Sequence, residues 1–265
     1  MLPQGFKARS SLSIAISVWR ALLLREALTR VSGGRAPWVW LLLEPVVHMA
    51  LFVTLLTVIN HKVVGGIDAA VWVMSGMLAF FMFRRCAQQG VDAIGANLAL
   101  YTYRQVRPVD TILVRAILEG VLMLLVSTIL FLGGLLLGLP ALPDDPLQVI
   151  LAVFGLWLFG IGFGLVLSVP KELIPEFSHV YGFIMMPLYF ISGVVFPISN
   201  VPLPYRDWLM LNPIVHGLEA TRQGFSVYYH AVPELDLSYL FGCSVFLIFF
   251  GLVLQLRFAQ RMIAK

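Results

Sequence analysis

Ionisable side chains are scarce in this sequence, and several of them fall inside long apolar runs. Arg84, Gln88 and Asp92 recur at helical spacing and share one stripe of a helix, with Arg85 and Gln89 beside it. A centred arginine costs about 2.5–3.5 kcal/mol on insertion scales, so such a stripe turns away from lipid. Two readings follow: a water-filled pathway that attracts an anionic substrate, or a helix end already emerging into the cytoplasm. Glu44 and His48 stand one turn apart in an earlier run, and Glu119 stands one turn after Arg115 in a later one. These groups could relay protons; pairing of Glu119 with Arg115 would make that acid structural instead. His216 and Glu219 read as structure rather than as a ligand pair.

The motifs that would make the chain an enzyme in its own right are missing. There is no G-x-x-x-x-G-K-[ST] loop to cradle ATP phosphates, no H-E-x-x-H to hold zinc and no G-x-S-x-G to expose a serine nucleophile. Cys86 and Cys243 lie in apolar runs without C-x-x-C spacing and read as small buried apolar residues. No metal or cofactor is expected on this chain.

Hydrophobic residues make up 60% of the 265 positions and charged residues 12%. Soluble domains run at about 45–50% and about 25%. The composition is that of an all-α, polytopic integral membrane protein. A net charge of +4 calls for no nucleic acid, because the cations cluster beside apolar runs, where membrane topology explains them. No secretory signal is expected: Ser11–Ala27 is interrupted by Arg20, Arg25 and Glu26.

Six spans are predicted to position these groups: Trp38–Ile59, Val71–Ala96, Ile112–Gly138, Leu147–Val169, Val180–Phe196 and Tyr239–Phe258. Trp38 and Trp40 suit the interface belt. Gly134/Gly138 and Gly160/Gly164 form small-xxx-small steps that allow close packing, including a seam between two copies. Ahead of the spans, Leu12, Ile16, Trp19 and Leu23 recur at helical spacing, Glu26 and Arg30 sit at i,i+4, and Gly33-Gly34 can stop the helix. Residues 1–35 therefore read as a cytoplasmic amino terminus with an amphipathic helix, and 36–265 as the membrane domain. That helix either lies in the interface with its basic residues toward headgroups or packs on the protein's own core. Lys7, Arg9, Arg20, Arg25, Arg30, Arg35, Arg104, Arg107, Lys171 and the tail Arg257, Arg261 and Lys265 fall on one side, against Lys62, Arg206 and Arg222 on the other. Both termini are expected in the cytoplasm.

Two polar stretches interrupt the spans. In Asn97–Arg115, Asn97 is a candidate helix cap, Pro108 should end the short helix and Asp110 should cap the next span. The expected result is an exposed helix of about 97–107 carrying Tyr101, Tyr103, Arg104 and Arg107. In Pro197–Asp236, Asn212-Pro213 reads as a cap and first turn that Gly224 can close, preceded by a short helix over Tyr205–Leu211. The pair suggests a re-entrant hairpin, about 197–229, above a central pathway. Phe80, Phe81 and Phe83 offer rings that could stack on sugars, although most aromatics here read as belt or packing.

Three stretches together resemble type-2 ABC-transporter permeases that export polysaccharides: LLREALTRVSGGRAPWVWLLLEP, ANLALYTYRQVRPVD and LNPIVHGLEATRQGF. The likeness is strongest to inner-membrane permeases of capsular polysaccharide exporters; O-antigen and teichoic-acid permeases are more distant kin. It implies a homodimer with two copies of a cytoplasmic ABC ATPase, which binds the ATP and magnesium. It makes Asn97–Arg107 a coupling helix, with Asn97, Leu100, Tyr101, Tyr103, Arg104 and Arg107 at the ATPase and Pro170–Phe177 a second contact. The amino-terminal helix becomes the interface helix. Tyr205–Phe225 becomes the periplasmic gate, with Tyr205, Trp208, Asn212, Pro213, His216, Glu219 and Arg222 as its residues. The implied substrate is an acidic glycan on a lipid anchor crossing the bacterial inner membrane, which Arg84 and Arg85 would suit. The resemblance carries over no individual sugar ligand, and Arg84, Arg85, Gln88, Phe80, Phe81 and Phe83 are channel candidates from their own types and placement. A periplasmic co-polymerase or adaptor and an outer-membrane channel are the further implied partners. The alternatives are a proton-coupled secondary transporter using Glu44, His48 and Glu119, and an integral-membrane transferase acting on lipid-linked sugars.

Overall fold

The computed structural model describes residues 11–32, 37–58, 63–174 and 176–263. In chain order the helices are α1 (Ser11–Ser32), α2 (Pro37–Val58), α3 (Ala69–Val91), α4 (Pro108–Leu136), α5 (Pro146–Leu173), α6 (Phe177–Ile191), α7 (Tyr205–Leu209), α8 (Pro213–Phe225) and α9 (Leu237–Ile263). Short 3-10 turns occupy Gly95–Thr102 and Ile198–Asn200. Helices α3, α4, α5 and α9 are each long and apolar enough to cross a membrane; shorter apolar stretches are Leu43–Leu55 in α2 and all of α6.

The bundle is built on α3. Asp68 Oδ1 accepts from the backbone N–H groups of Ala70 at 2.8 Å and Val71 at 3.4 Å, satisfying donors that the first turn leaves free. From there α3 is apolar around most of its circumference and buried over most of its length, as a central helix must be. It ends at Val91, short of the expected Ala96.

Helix α5 runs between α3 and α9, and glycines bring the three together. A Cβ on Gly164 would stand 3.0 Å from Gly90 Cα, and one on Gly160 would stand 2.8 Å from the Phe83 carbonyl oxygen. The Gly160/Gly164 step is thus used inside one chain, against α3, and not at a seam between copies. On the other side, a Cβ on Gly162 would approach Leu247 Cβ to 2.7 Å, and Gln255 Nε2 donates to the Leu165 carbonyl at 3.0 Å and to Ser168 Oγ at 2.7 Å. Gly138 lies beyond α4, with φ at +81°.

At one end of the bundle a ribbon of two short antiparallel strands, β1 (Val63–Val64) and β2 (Ile67–Asp68), turns through Gly65 and Gly66. Both glycines have positive φ. The ribbon was not expected, because two residues per strand are too few to display alternation. Here Asn212 caps α8 as expected, its Oδ1 accepting from Ile214 N–H at 3.1 Å. Gly224 does not close that helix, which runs on to Phe225; its bare Cα admits the start of α5, where a Cβ would meet the Asp145 carbonyl at 3.0 Å.

Several expectations lie outside the described residues: the Gly33-Gly34 stop, the side chain of Trp38, Lys7, Arg9, Arg35, Ile59, Lys62, Pro175 and Lys265.

Candidate functional site

The segment joining α3 to α4 differs from the expected helix. Its turns run from Gly95 to Thr102, and Asn97 departs from helical geometry at φ −122°, ψ 15°. Asn97 does not cap them. It is buried, with Nδ2 donating to the Ala93 carbonyl and Oδ1 accepting from Arg25 Nη1, both at 2.8 Å. Tyr101 also points inward, and its hydroxyl meets Thr111 Oγ1 at 2.7 Å. Burial raises the Tyr101 pKa to about 12, with the Thr111 hydrogen bond opposing. What remains on the surface is Tyr103, 66% exposed, with Arg104 and Arg107. Leu100 is half-buried. Asp110 is not the cap of the next helix, because α4 starts at Pro108 with Arg107 in the cap position; from the third helical position its Oδ2 accepts from the Arg107 backbone N–H at 2.9 Å.

Helix α1 grips this segment with its polar side. Trp19 Nε1 donates to Asp110 Oδ1 at 2.9 Å, Arg25 reaches Asn97, Glu26 pairs with Arg115 at 3.1 Å, and Arg30 pairs with Glu119 at 3.0 Å. Ile16, Leu24 and Leu28 stay exposed. Arg25 and Arg30 are therefore engaged by the protein rather than by headgroups, while Ile16, Leu24 and Leu28 face out and Leu22 is buried. From the α5 end, Lys171 forms an ion pair with Asp92, and Glu172 lies buried under Gly95, whose Cβ would stand 2.9 Å from Glu172 Oε1.

Glu119, fully buried, does not pair with Arg115. Its carboxylate is shared by Arg30 and by Arg85 at 3.4 Å, and Arg85 also pairs with Glu44. A charge buried at this depth persists only when neutralised and hydrogen-bonded, and the two arginines supply both. The neighbouring Arg84 reaches Glu44 only at 3.9 Å and is 38% exposed. Gln88, exposed, donates weakly to Asp92 at 3.4 Å. His48 Nδ1 lies 2.9 Å from the Glu44 carbonyl, not from its carboxylate. Phe80, Phe81 and Phe83 line no open surface of the chain. They are core residues, with Phe80 edge-on to Tyr189 at 5.1 Å and Phe83 packed on Phe159 and Phe163.

At the opposite end, α8 is locked into the bundle. Arg222 and Glu219 are fully buried and pair at 3.2 Å; Arg222 also donates to the carbonyls of Gly193 and Val194 and lies 3.8 Å over the Trp72 ring. The Tyr229 hydroxyl sits 2.9 Å from both Glu219 oxygens. His216 is fixed between the Met210 carbonyl and the Asp236 backbone N–H. Pro213 opens α8. Of the expected gate residues, Tyr205 and Trp208 are the exposed ones, at 60% and 69%.

Over residues 17–226 the sequence matches the family described as ABC-2 type transporter. The chain belongs to that family. Such chains are transmembrane subunits that work with a separate ATPase, so this ABC-2 chain is a permease subunit and not itself an enzyme. It is similar to the polysialic acid transport protein KpsM of Escherichia coli, 32% identical over 93% of this chain and 95% of that one. It is also similar to the capsule polysaccharide export inner-membrane proteins CtrC of Neisseria meningitidis, 28% identical over 94% of each chain, and BexB of Haemophilus influenzae, 29% identical over 95% of each.

Within this ABC-2 chain the structure brings Asn97 and Tyr101 together as internal anchors and leaves Tyr103, Arg104 and Arg107 as the accessible surface. It separates Arg84 from Arg85 by their partners. Sequence reasoning missed Trp19, Arg25 and Glu26 as supports, since their partners lie 72 to 91 positions away. It also missed Tyr229, the third member of the Glu219–Arg222 cluster; no spacing rule flags a contact ten residues on that a loop creates.

Proposed function

We propose that this chain is the transmembrane subunit of an ATP-driven exporter that moves a lipid-linked, acidic capsular polysaccharide from the cytoplasm across the bacterial inner membrane. The observation that carries the reading is the likeness, along nearly the whole chain, to proteins that transport polysialic acid and export capsule polysaccharide. Two copies form a homodimer, each seated on one copy of an ABC ATPase that holds ATP and magnesium. Helices α2, α3, α4, α5, α6 and α9 are the six spans, with both termini cytoplasmic; residues 1–35 form the cytoplasmic amino terminus and 36–265 the permease domain. The exposed side of the 95–107 segment is the surface an ATPase would push, and the α1 clamp carries that push into α4. Helices α7 and α8 form the re-entrant periplasmic gate. A periplasmic adaptor and an outer-membrane channel complete the path.

The geometry counts against a proton relay. A relay needs carboxylates free to bind and release protons, and Glu44 and Glu119 are both engaged by arginines. The exporter reading is tested by purifying the tagged chain in mild detergent from cells that also make its ATPase. A stoichiometric ATPase that co-purifies and hydrolyses ATP supports it; an ATPase-free preparation that resists reconstitution removes it.

A further inference from the structure

Adjacent arginines on α3 are used in opposite ways. Arg85 is committed to two carboxylates, whereas Arg84 donates no hydrogen bond among the described residues and touches Glu44 only at 3.9 Å. Its guanidinium lies 5.9 Å from the centroid of Phe81. Helix α6 brings Tyr181 and Tyr189 to the same region. Eight residues apart, they share one face with Met185 between them, and that face is turned into the bundle. Tyr181 is only 5% exposed, and the Tyr189 ring packs edge-on against Phe80 one turn before Arg84. Phe80, which packs on Tyr189, and Phe81, which lies under Arg84, are consecutive residues of α3.

Both tyrosine hydroxyls are buried, and neither finds a hydrogen-bond partner among the described residues. Leaving a buried donor unpaired costs about 1–3 kcal/mol, so two on one helix face beside a loosely held cation need a reason. Packing alone would be served by phenylalanine. On its other side α6 exposes Phe183 and Met186.

We propose that Arg84, Tyr181 and Tyr189 form an oxyanion-binding site for the exported molecule, uncovered when α6 moves away from α3. The ligand is a carboxylate of the glycan or the phosphate of its lipid anchor. Either group accepts the planar guanidinium fork and two O–H donors at once through charge-assisted bonds, whereas a neutral sugar offers the cation no charge. The proposal rests on the exporter reading above and names the contact that would select acidic cargo.

The test uses the complete complex with its ATPase in lipid nanodiscs and two probes on the same phospholipid anchor. One is oligosialic acid; the other is its carboxyl methyl ester. Tyr181→Phe with Tyr189→Phe is expected to raise the half-maximal concentration for stimulated ATP hydrolysis about tenfold with the acidic probe. Arg84→Gln should do at least as much. A shift confined to the acidic probe assigns the site to the glycan carboxylate, and an equal shift with both assigns it to the anchor phosphate. Unchanged values with both probes, in a complex recovered intact, overturn the proposal. If the double variant does not assemble, 3-fluorotyrosine at positions 181 and 189 in the wild-type background replaces it. A fluorine shift on adding the acidic probe supports the site, and none refutes it. Absence of probe-stimulated hydrolysis in the wild type would instead sink the exporter reading, and the fluorine shift would still judge the site.

Discussion

Arg25 Nη1 donates to Asn97 Oδ1 across 2.8 Å, tying α1 to the segment that leads into α4. The same asparagine closes onto the Ala93 carbonyl through Nδ2. One buried amide therefore joins the end of α3, the connecting turns and α1. Asn97→Ala removes all of this and leaves a carbonyl and an arginine without their partner, at a cost of about 1–3 kcal/mol. The expected outcome is a protein that still inserts but whose 95–107 segment is nicked several-fold faster in limited proteolysis. Cleavage at the wild-type rate would show that α1 does not restrain the segment.

Glu119 serves two arginines from inside the bundle. Glu119→Ala leaves Arg30 and Arg85 without that carboxylate, and breaking a buried pair costs about 3–5 kcal/mol. Thermal unfolding in detergent should move down clearly, and Glu119→Gln should fall between the variant and the wild type. A stable Glu119→Ala protein would contradict the ion-pair assignment.

Tyr101 reports on alkaline stability. Its folded pKa of about 12 lies above the ordinary 10.0. The neutral phenol is therefore favoured by folding, and its contribution is full below pH 10 and lost as pH rises toward 12. Tyr101→Phe should remove the Thr111 hydrogen bond, cost about 0.5–1.5 kcal/mol at neutral pH and abolish that alkaline step. A pH–stability curve for the variant that runs parallel to the wild type between pH 9 and 12 would refute this.

The α3–α5 crossing depends on hydrogen in place of a side chain at Gly164. Gly164→Val should abolish accumulation of the protein, because backbone at 3.0 Å cannot give way. A methyl group at Gly133 on α4 would meet nothing within 4 Å, so Gly133→Ala should be neutral or stabilising by up to about 1 kcal/mol. Fluorescence-detected size-exclusion profiles of the two variants make the comparison directly.

Four of the six expected spans, those in α3, α4, α5 and α9, and the start of α8 were legible from sequence because each rests on local signals. Twenty-residue apolar runs mark the long helices, and Asn212-Pro213 and Pro108 with Asp110 mark helix starts. The charge network was not legible. Glu26–Arg30 at i,i+4 could be read, but Glu26 also serves Arg115 and Arg30 also serves Glu119, through contacts between helices. Asn97 looked like a cap by residue type, and a distant arginine claimed its oxygen. Phe80, Phe81 and Phe83 looked like a sugar platform, and the crossing of α3 with α5 and α6 buries them. Burial is a property of the whole bundle, and no window of sequence reports it.

The most direct measurement is transport of a lipid-linked acidic polysaccharide into sealed vesicles containing this chain and its ATPase, powered either by ATP or by an imposed proton gradient. The expected result is transport with ATP alone, lost in Arg104→Glu with Arg107→Glu while hydrolysis continues. Transport driven by the proton gradient without the ATPase would contradict it.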